Sequence, residues 1–81
     1  MTRLEVRNID RELIRRYLRE EKRGEGEAES VAGEGWLVRF VTGEPVKIGQ
    51  IRVPVLFIEV EGEREEEVAR FLRLKTMRGG G

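Results

Sequence analysis

The sequence predicts an α+β fold, a two-layer sandwich in which two helices lie on one face of an antiparallel sheet of three to four strands. Three observations predict it. The stretches "RLEVR" (3–7), "WLVRFV" (36–41) and "VPVLFIEV" (53–60) alternate with period two or are rich in β-branched and aromatic residues, as strands are. Two other stretches repeat their apolar residues at helical spacing. The patterns follow one another as β-α-β-β-(β)-α within 81 residues, which suits a single domain over 1–78 followed by a flexible glycine tail at 79–81.

The first strand places Leu4 and Val6 against Arg3, Glu5 and Arg7, one dry face and one wet. From Ile9 the period changes, and Leu13, Ile14, Tyr17 and Leu18 gather on one side of a helix. Asn8 is the expected N-cap, with Asp10 and Glu12 in the first turn, Lys22 and Arg23 in the last, and Gly24 ending the helix. "GEGEAES" (24–30) reads as a mobile acidic loop leading toward a short strand near 29–32. Between the two long strands, "TGEPVKIGQIR" holds Gly43, Pro45 and Gly49, and fits either a long hairpin connection or a short extra strand at 46–48. The last helix runs from about Glu63 to Met77. It begins with Glu65, Glu66 and Glu67, ends with Arg73, Lys75 and Arg78, and buries Val68, Phe71 and Leu72 with Ala69 beside them.

One feature of the strands bears on partners. In "VPVLFIEV", Val53, Val55 and Phe57 point one way and Leu56, Ile58 and Val60 the other, so both faces are apolar. "WLVRFV" sets Trp36, Val38 and Phe40 against Leu37 and Val41, with Arg39 as the break. Two helices cover one face only. The second face is therefore expected to be buried in a homo-oligomer, a dimer in the simplest case, or against another protein, with Trp36, Val38, Phe40, Val53, Val55 and Phe57 as core or interface residues. Association would also support a chain that buries only about 60% of its unfolded surface.

Composition excludes more than it assigns. The chain has no Cys and no His, one serine (Ser30), three threonines and three lysines. Disulfides, Ser-His-Asp and Cys-His catalysis, and metal sites built on imidazole or thiolate are all ruled out. The acids Glu25, Glu27, Glu29 and Glu34 lack the spacing of a calcium loop and read as a solvated loop. The glycines match neither G-x-G-x-x-G nor G-x-x-x-x-G-K-[ST]. We therefore expect no enzyme, no cofactor and no metal. The apolar run "VPVLFI" is too short to span a membrane and the N-terminus lacks a signal-peptide core, so a cytoplasmic protein is expected.

Charge opens a second route. Sixteen basic and sixteen acidic residues cancel overall, yet Arg11, Arg15, Arg16, Arg19, Lys22 and Arg23 crowd the first helix. A basic helix face is the electrostatic footprint of nucleic-acid binding. Neutral net charge, the acidic loop and the absence of RRM or KH signatures weigh against it, and ion pairing in solvent explains the same residues. Thirteen arginines to three lysines, with Asn8 and Gln50 the only side-chain amides, suit a thermophile or a GC-rich genome.

The ending "MRGGG" (77–81) resembles that of ubiquitin-like sulfur carriers and modifiers. The resemblance implies a final carboxylate that is adenylated, then thiolated or joined to an amine. Glycines suit that role because a tail without side chains threads a narrow activating site. The rest of the pattern departs from the family. A β-grasp fold opens with a hairpin and delivers its tail from a strand, whereas here one strand precedes the first helix and the tail follows the second. The longer stretch "NIDRELIRRYLREEKRGEGEAESVAGEGWLVRFV" resembles small uncharacterised α/β proteins of thermophilic bacteria, a resemblance that implies no site residue. The reading is thus a non-enzymatic, self-associating interaction domain. Its alternative is a nucleic-acid-binding module, and a carrier with a Gly-Gly tail is the remoter one.

Overall fold

The computed structural model describes residues 1–26 and 29–79. Strand β1 (Thr2–Arg7) turns Leu4 and Val6 inward and leads into helix α1 (Arg11–Lys22). Strands β2 (Ser30–Gly33) and β3 (Trp36–Thr42) form a hairpin around Glu34 and Gly35, the latter at φ +83°. A second hairpin follows, β4 (Val46–Ile48) and β5 (Ile51–Val53), before β6 (Val55–Glu61) and helix α2 (Glu65–Gly79).

The main sheet is antiparallel, in the order β1-β6-β3-β2. Its central strand β6 sets Leu56, Ile58 and Val60 beside Val6, Leu4 and Thr2 on one side, and Ile58 and Val60 beside Phe40 and Val38 on the other. These side chains join Val31, Trp36, Ile14, Leu18, Val68 and Leu72 in one core, so both helices cover the same sheet face. The α+β sandwich with a four-stranded sheet is the architecture the periodicities predict. The hairpin β4-β5 forms a separate two-stranded sheet.

Two local expectations need correction. Asn8 does not cap α1. It sits at φ 58°, its amide donates to the Pro54 carbonyl at 2.8 Å, and Asp10 is the N-cap, accepting from the Glu12 amide at 3.1 Å. Gly24 follows the end of α1 as expected, its amide donating to the Leu18 carbonyl at 3.0 Å, and Arg23 before it takes the left-handed turn at φ 55°. Residues 53–60 are not one strand. Pro54 has no amide to give a ladder, and the chain breaks there between β5 and β6.

The chain thus has one strand before its first helix and ends its described part in a helix, with Gly79 as the last residue of α2. Gly80 and Gly81 of the expected flexible tail, and Glu27 of the acidic loop, lie outside the described residues.

Candidate functional site

The six sheet residues singled out from the sequence fall in three places. Trp36, Val38 and Phe40 are buried beneath the helices. Val55 and Phe57 stand on the outer face of the main sheet, because they alternate with Leu56 and Ile58 along β6. Val53 belongs to the β4-β5 hairpin, across the break at Pro54.

The outer face is dressed in charge. Register lines up Arg3, Glu59 and Arg39 across β1, β6 and β3. Arg3 Nε lies 3.9 Å from the Glu59 carboxylate while its guanidinium stacks 4.3 Å from the centre of the Phe57 ring. Arg39 pairs with Glu61. The long apolar stems of such side chains cover sheet carbon while their heads stay wet. Gly43 closes over the other end: a β-carbon there would come within 2.6 Å of the Phe57 ring and 3.3 Å of Val55. What remains open is Val41, 39% exposed, and half-buried Leu37.

The six basic residues of α1 also divide. Arg11 donates to Glu29 at 3.2 Å and to the Thr42 hydroxyl. Arg15 is only 7% exposed, pairs with Glu12, and lies 5.9 Å over the Phe40 ring. Lys22 reaches Glu67 on α2 at 3.1 Å and the Phe71 ring at 5.1 Å. Arg16, Arg19 and Arg23 alone of the six are exposed to solvent. Residues 11, 15 and 22 sit within about 40° of one another on a helical wheel, beside the apolar stripe rather than opposite it, which is why their charges turn inward. Half of the expected basic face is engaged by the chain's own acids and rings.

Helix α2 is pinned at both ends. Near its start Glu65 accepts from the Thr2 hydroxyl at 2.8 Å, with the Met1 amine 3.3 Å away. Those contacts hold the Glu65 carboxyl below the usual range, and Arg64 and Lys22 do the same for Glu67. Farther along, Lys75 bridges to Glu21 at 2.9 Å and lies over both the Tyr17 and Phe71 rings, tying the α2 segment that precedes the glycines to α1.

At the opposite end of β6, where the chain leaves and re-enters the main sheet, a pocket of about 430 Å³ opens between Asn8, Ile9, Asp10, Arg11, Thr42 and Pro54–Leu56. Beside it the β4-β5 hairpin leaves Ile48 and Ile51 exposed at 58% and 68%. The short extra strand at 46–48 that the sequence allowed is β4, with Gly49 between "VKI" and "QIR" as the hairpin signal beside it, whereas the pocket had no counterpart in the sequence reading. Among the described residues no three acids cluster closely enough to hold a metal ion, and no helix is long and apolar enough to cross a membrane.

Comparison with known proteins adds one finding. A family model described as archaeal MoaD-like protein matches residues 2–81, which takes in every element above and the three terminal glycines. No curated protein matches the chain.

Proposed function

The chain belongs to the archaeal MoaD-like family, and from that premise we propose that it is a small carrier protein, acting through protein partners, whose C-terminal glycine carboxylate is its reactive group. The observation that carries this reading is the extent of the family match, which runs through Gly79, Gly80 and Gly81 to the last residue. It favours the reading that ranked as the remoter alternative on sequence alone.

Composition supports the same reading. With no His and no Cys, the chain cannot build a hydroxyl or thiol nucleophile activated by imidazole. A carboxylate that another enzyme activates needs neither. In that chemistry the carboxylate oxygen attacks the α-phosphorus of ATP and pyrophosphate leaves. A sulfur donor then displaces AMP from the acyl adenylate and leaves a thiocarboxylate. This chain's own contribution is to present the carboxylate on a segment free of side chains and to offer a surface that the activating enzyme can hold.

The tail follows α2 rather than a strand, so the surface that travels with it is helical. Exposed Arg73 and Leu74 precede it, and the Lys75 contacts to Glu21, Tyr17 and Phe71 hold that part of the helix against the body. The test is intact mass after incubation with ATP, a sulfide source and a carrier-activating enzyme from the same host. The expected product gains the mass difference of sulfur replacing oxygen, and a variant lacking Gly80 and Gly81 stays unmodified. If the full chain forms neither adenylate nor thiocarboxylate, the carrier reading is wrong.

A further inference from the structure

Helix α2 carries a face that the rest of the molecule leaves unused. Val68, Ala69 and Leu72 are buried and Phe71 is half-buried, whereas Arg70, Arg73 and Leu74 are exposed, Leu74 at 59%. Residues three and four apart are neighbours on a helix, so these three side chains form one ridge. Hollows flank it on both sides. One of about 470 Å³ lies toward α1, lined by Lys22, Phe71 and Leu74, and one of about 280 Å³ lies toward β1, lined by Thr2 and Ala69.

The ridge is basic where it nears the tail. Arg70 and Arg73 form no ion pair among the described residues, and like charges this close on a helix repel. Of the acids around it, Glu67 is held by Arg64 and Lys22, and Glu21 by Lys75. Glu66 lines both hollows without an ion pair among the described residues, and it stands one turn farther from the tail than Arg70. An acid and an exposed leucine on the same face do not suit a phosphate backbone, which leaves protein carboxylates as the counter-charge.

Geometry says what covers this face. Five helical steps separate Leu74 from Gly79 and two more residues complete the chain, so the terminal carboxylate lies within about 15 Å of the Leu74 backbone. Even a domain of about 100 residues has a radius of gyration near 13 Å, so a protein that encloses the carboxylate reaches the last turns of α2. The inner side of the helix is taken by α1 and the sheet, through Lys22, Phe71 and Lys75. The ridge is the side left for it.

We propose that the enzyme activating the C-terminal carboxylate docks on Arg70, Arg73 and Leu74 through an acidic surface with an apolar spot for the leucine, and that this contact rather than the glycines sets its affinity for the chain. The proposal rests on the carrier reading and names the surface by which that partner holds it.

ATP–pyrophosphate exchange by the carrier-activating enzyme of the same host, with the full chain as the varied substrate, tests it. R70E/R73E and L74D are each expected to raise KM for the chain at least about tenfold with kcat changed less than about twofold, since neither touches the reacting atoms. R16E/R19E, an equal charge reversal on exposed residues of α1, is expected to leave both constants unchanged. A chain lacking Gly80 and Gly81 is expected to inhibit competitively, with an inhibition constant close to the wild-type KM, because its ridge is intact. All these variants should keep the wild-type far-ultraviolet circular dichroism, as the altered residues lie outside the core. If the wild type supports exchange but R70E/R73E and L74D leave KM unchanged, or the truncated chain does not inhibit, the docking proposal is overturned and the carrier reading stands. A fall in kcat at constant KM overturns it as well, as does single-stranded RNA that binds the wild type and is lost in R70E/R73E. A wild type that supports no exchange overturns the carrier reading and the docking proposal together.

Discussion

Trp36 sits between two glycines that its own bulk demands. A β-carbon at Gly33 would run into the indole, and one at Gly24 would lie 2.7 Å from Val31 and against the same ring. Neither position has positive φ, so the requirement is space rather than backbone conformation. Gly33→Ala is therefore expected to destabilise the protein by about 1–3 kcal/mol through overpacking, measured by urea unfolding followed through Trp36 fluorescence. Arg23 is the opposite case, a side chain in a left-handed position where glycine is easier. Arg23→Gly is expected to raise stability by about 1 kcal/mol in the same assay, and a lower midpoint would contradict the capping geometry. Gly24 follows α1 as the sequence suggests, yet the left-handed position that a glycine after a helix ordinarily fills is taken by Arg23. Here the indole packed against Gly24 claims the glycine for another reason, and no local pattern reports which side chain will arrive from β3.

At the scale of elements, the start of α2 carries the clearest electrostatic signature. Glu65 and Glu67 have carboxyls held below the ordinary value of 4.5, the first chiefly by the Thr2 hydroxyl and the second by Arg64 and Lys22. A carboxyl whose folded pKa is depressed adds stability that is present above its unfolded pKa and is lost as pH falls through the folded one. Thermal stability is therefore expected to be flat near neutrality and to fall below about pH 4.5. Glu67→Gln should lower the neutral plateau and flatten the acid limb. A melting temperature with the same acid slope in wild type and variant would show that other carboxyls carry the effect. Strand boundaries obeyed equally local physics: Pro54 inside "VPVLFIEV" already argued against a continuous strand, since a proline cannot donate to a central ladder. The apolar parity assigned to Val53 failed at that residue and held for Val55 and Phe57.

Taken as a whole, the molecule depends on one small core. Phe40, Ile14, Leu18, Ile58 and Leu72 are among its largest fully buried side chains, drawn from both helices and the two central strands. Phe40→Ala is expected to cost about 3–5 kcal/mol, a large share of the 5–15 kcal/mol typical of a domain, and to abolish a cooperative thermal transition. Val41→Ser, one residue on but facing outward, should change stability by less than about 0.5 kcal/mol. Equal effects at the two positions would mean that the sheet is covered on its outer face as well.

Local chemistry settled much of this protein. The strand at 3–7, both helices, the paired long strands and the four-stranded sandwich follow from apolar period, dipole-matched charge and turn residues, all of which act within a few positions along the chain. The absence of His and Cys confined the reactive groups before any fold was known. What the tertiary structure decided is where long side chains spend their charge. Arg11, Arg15 and Lys22 look like a solvated face, and they turn inward because Glu29, Phe40, Glu67 and Phe71 arrive from other elements. The outer sheet face looks bare, and it is dressed by Arg3, Arg39 and the bend at Gly43. The pocket beside the β4-β5 hairpin exists only because Thr42 and Pro54 meet beside the first turn of α1. Such meetings join residues far apart in the chain, and their energy depends on distances that periodicity does not encode.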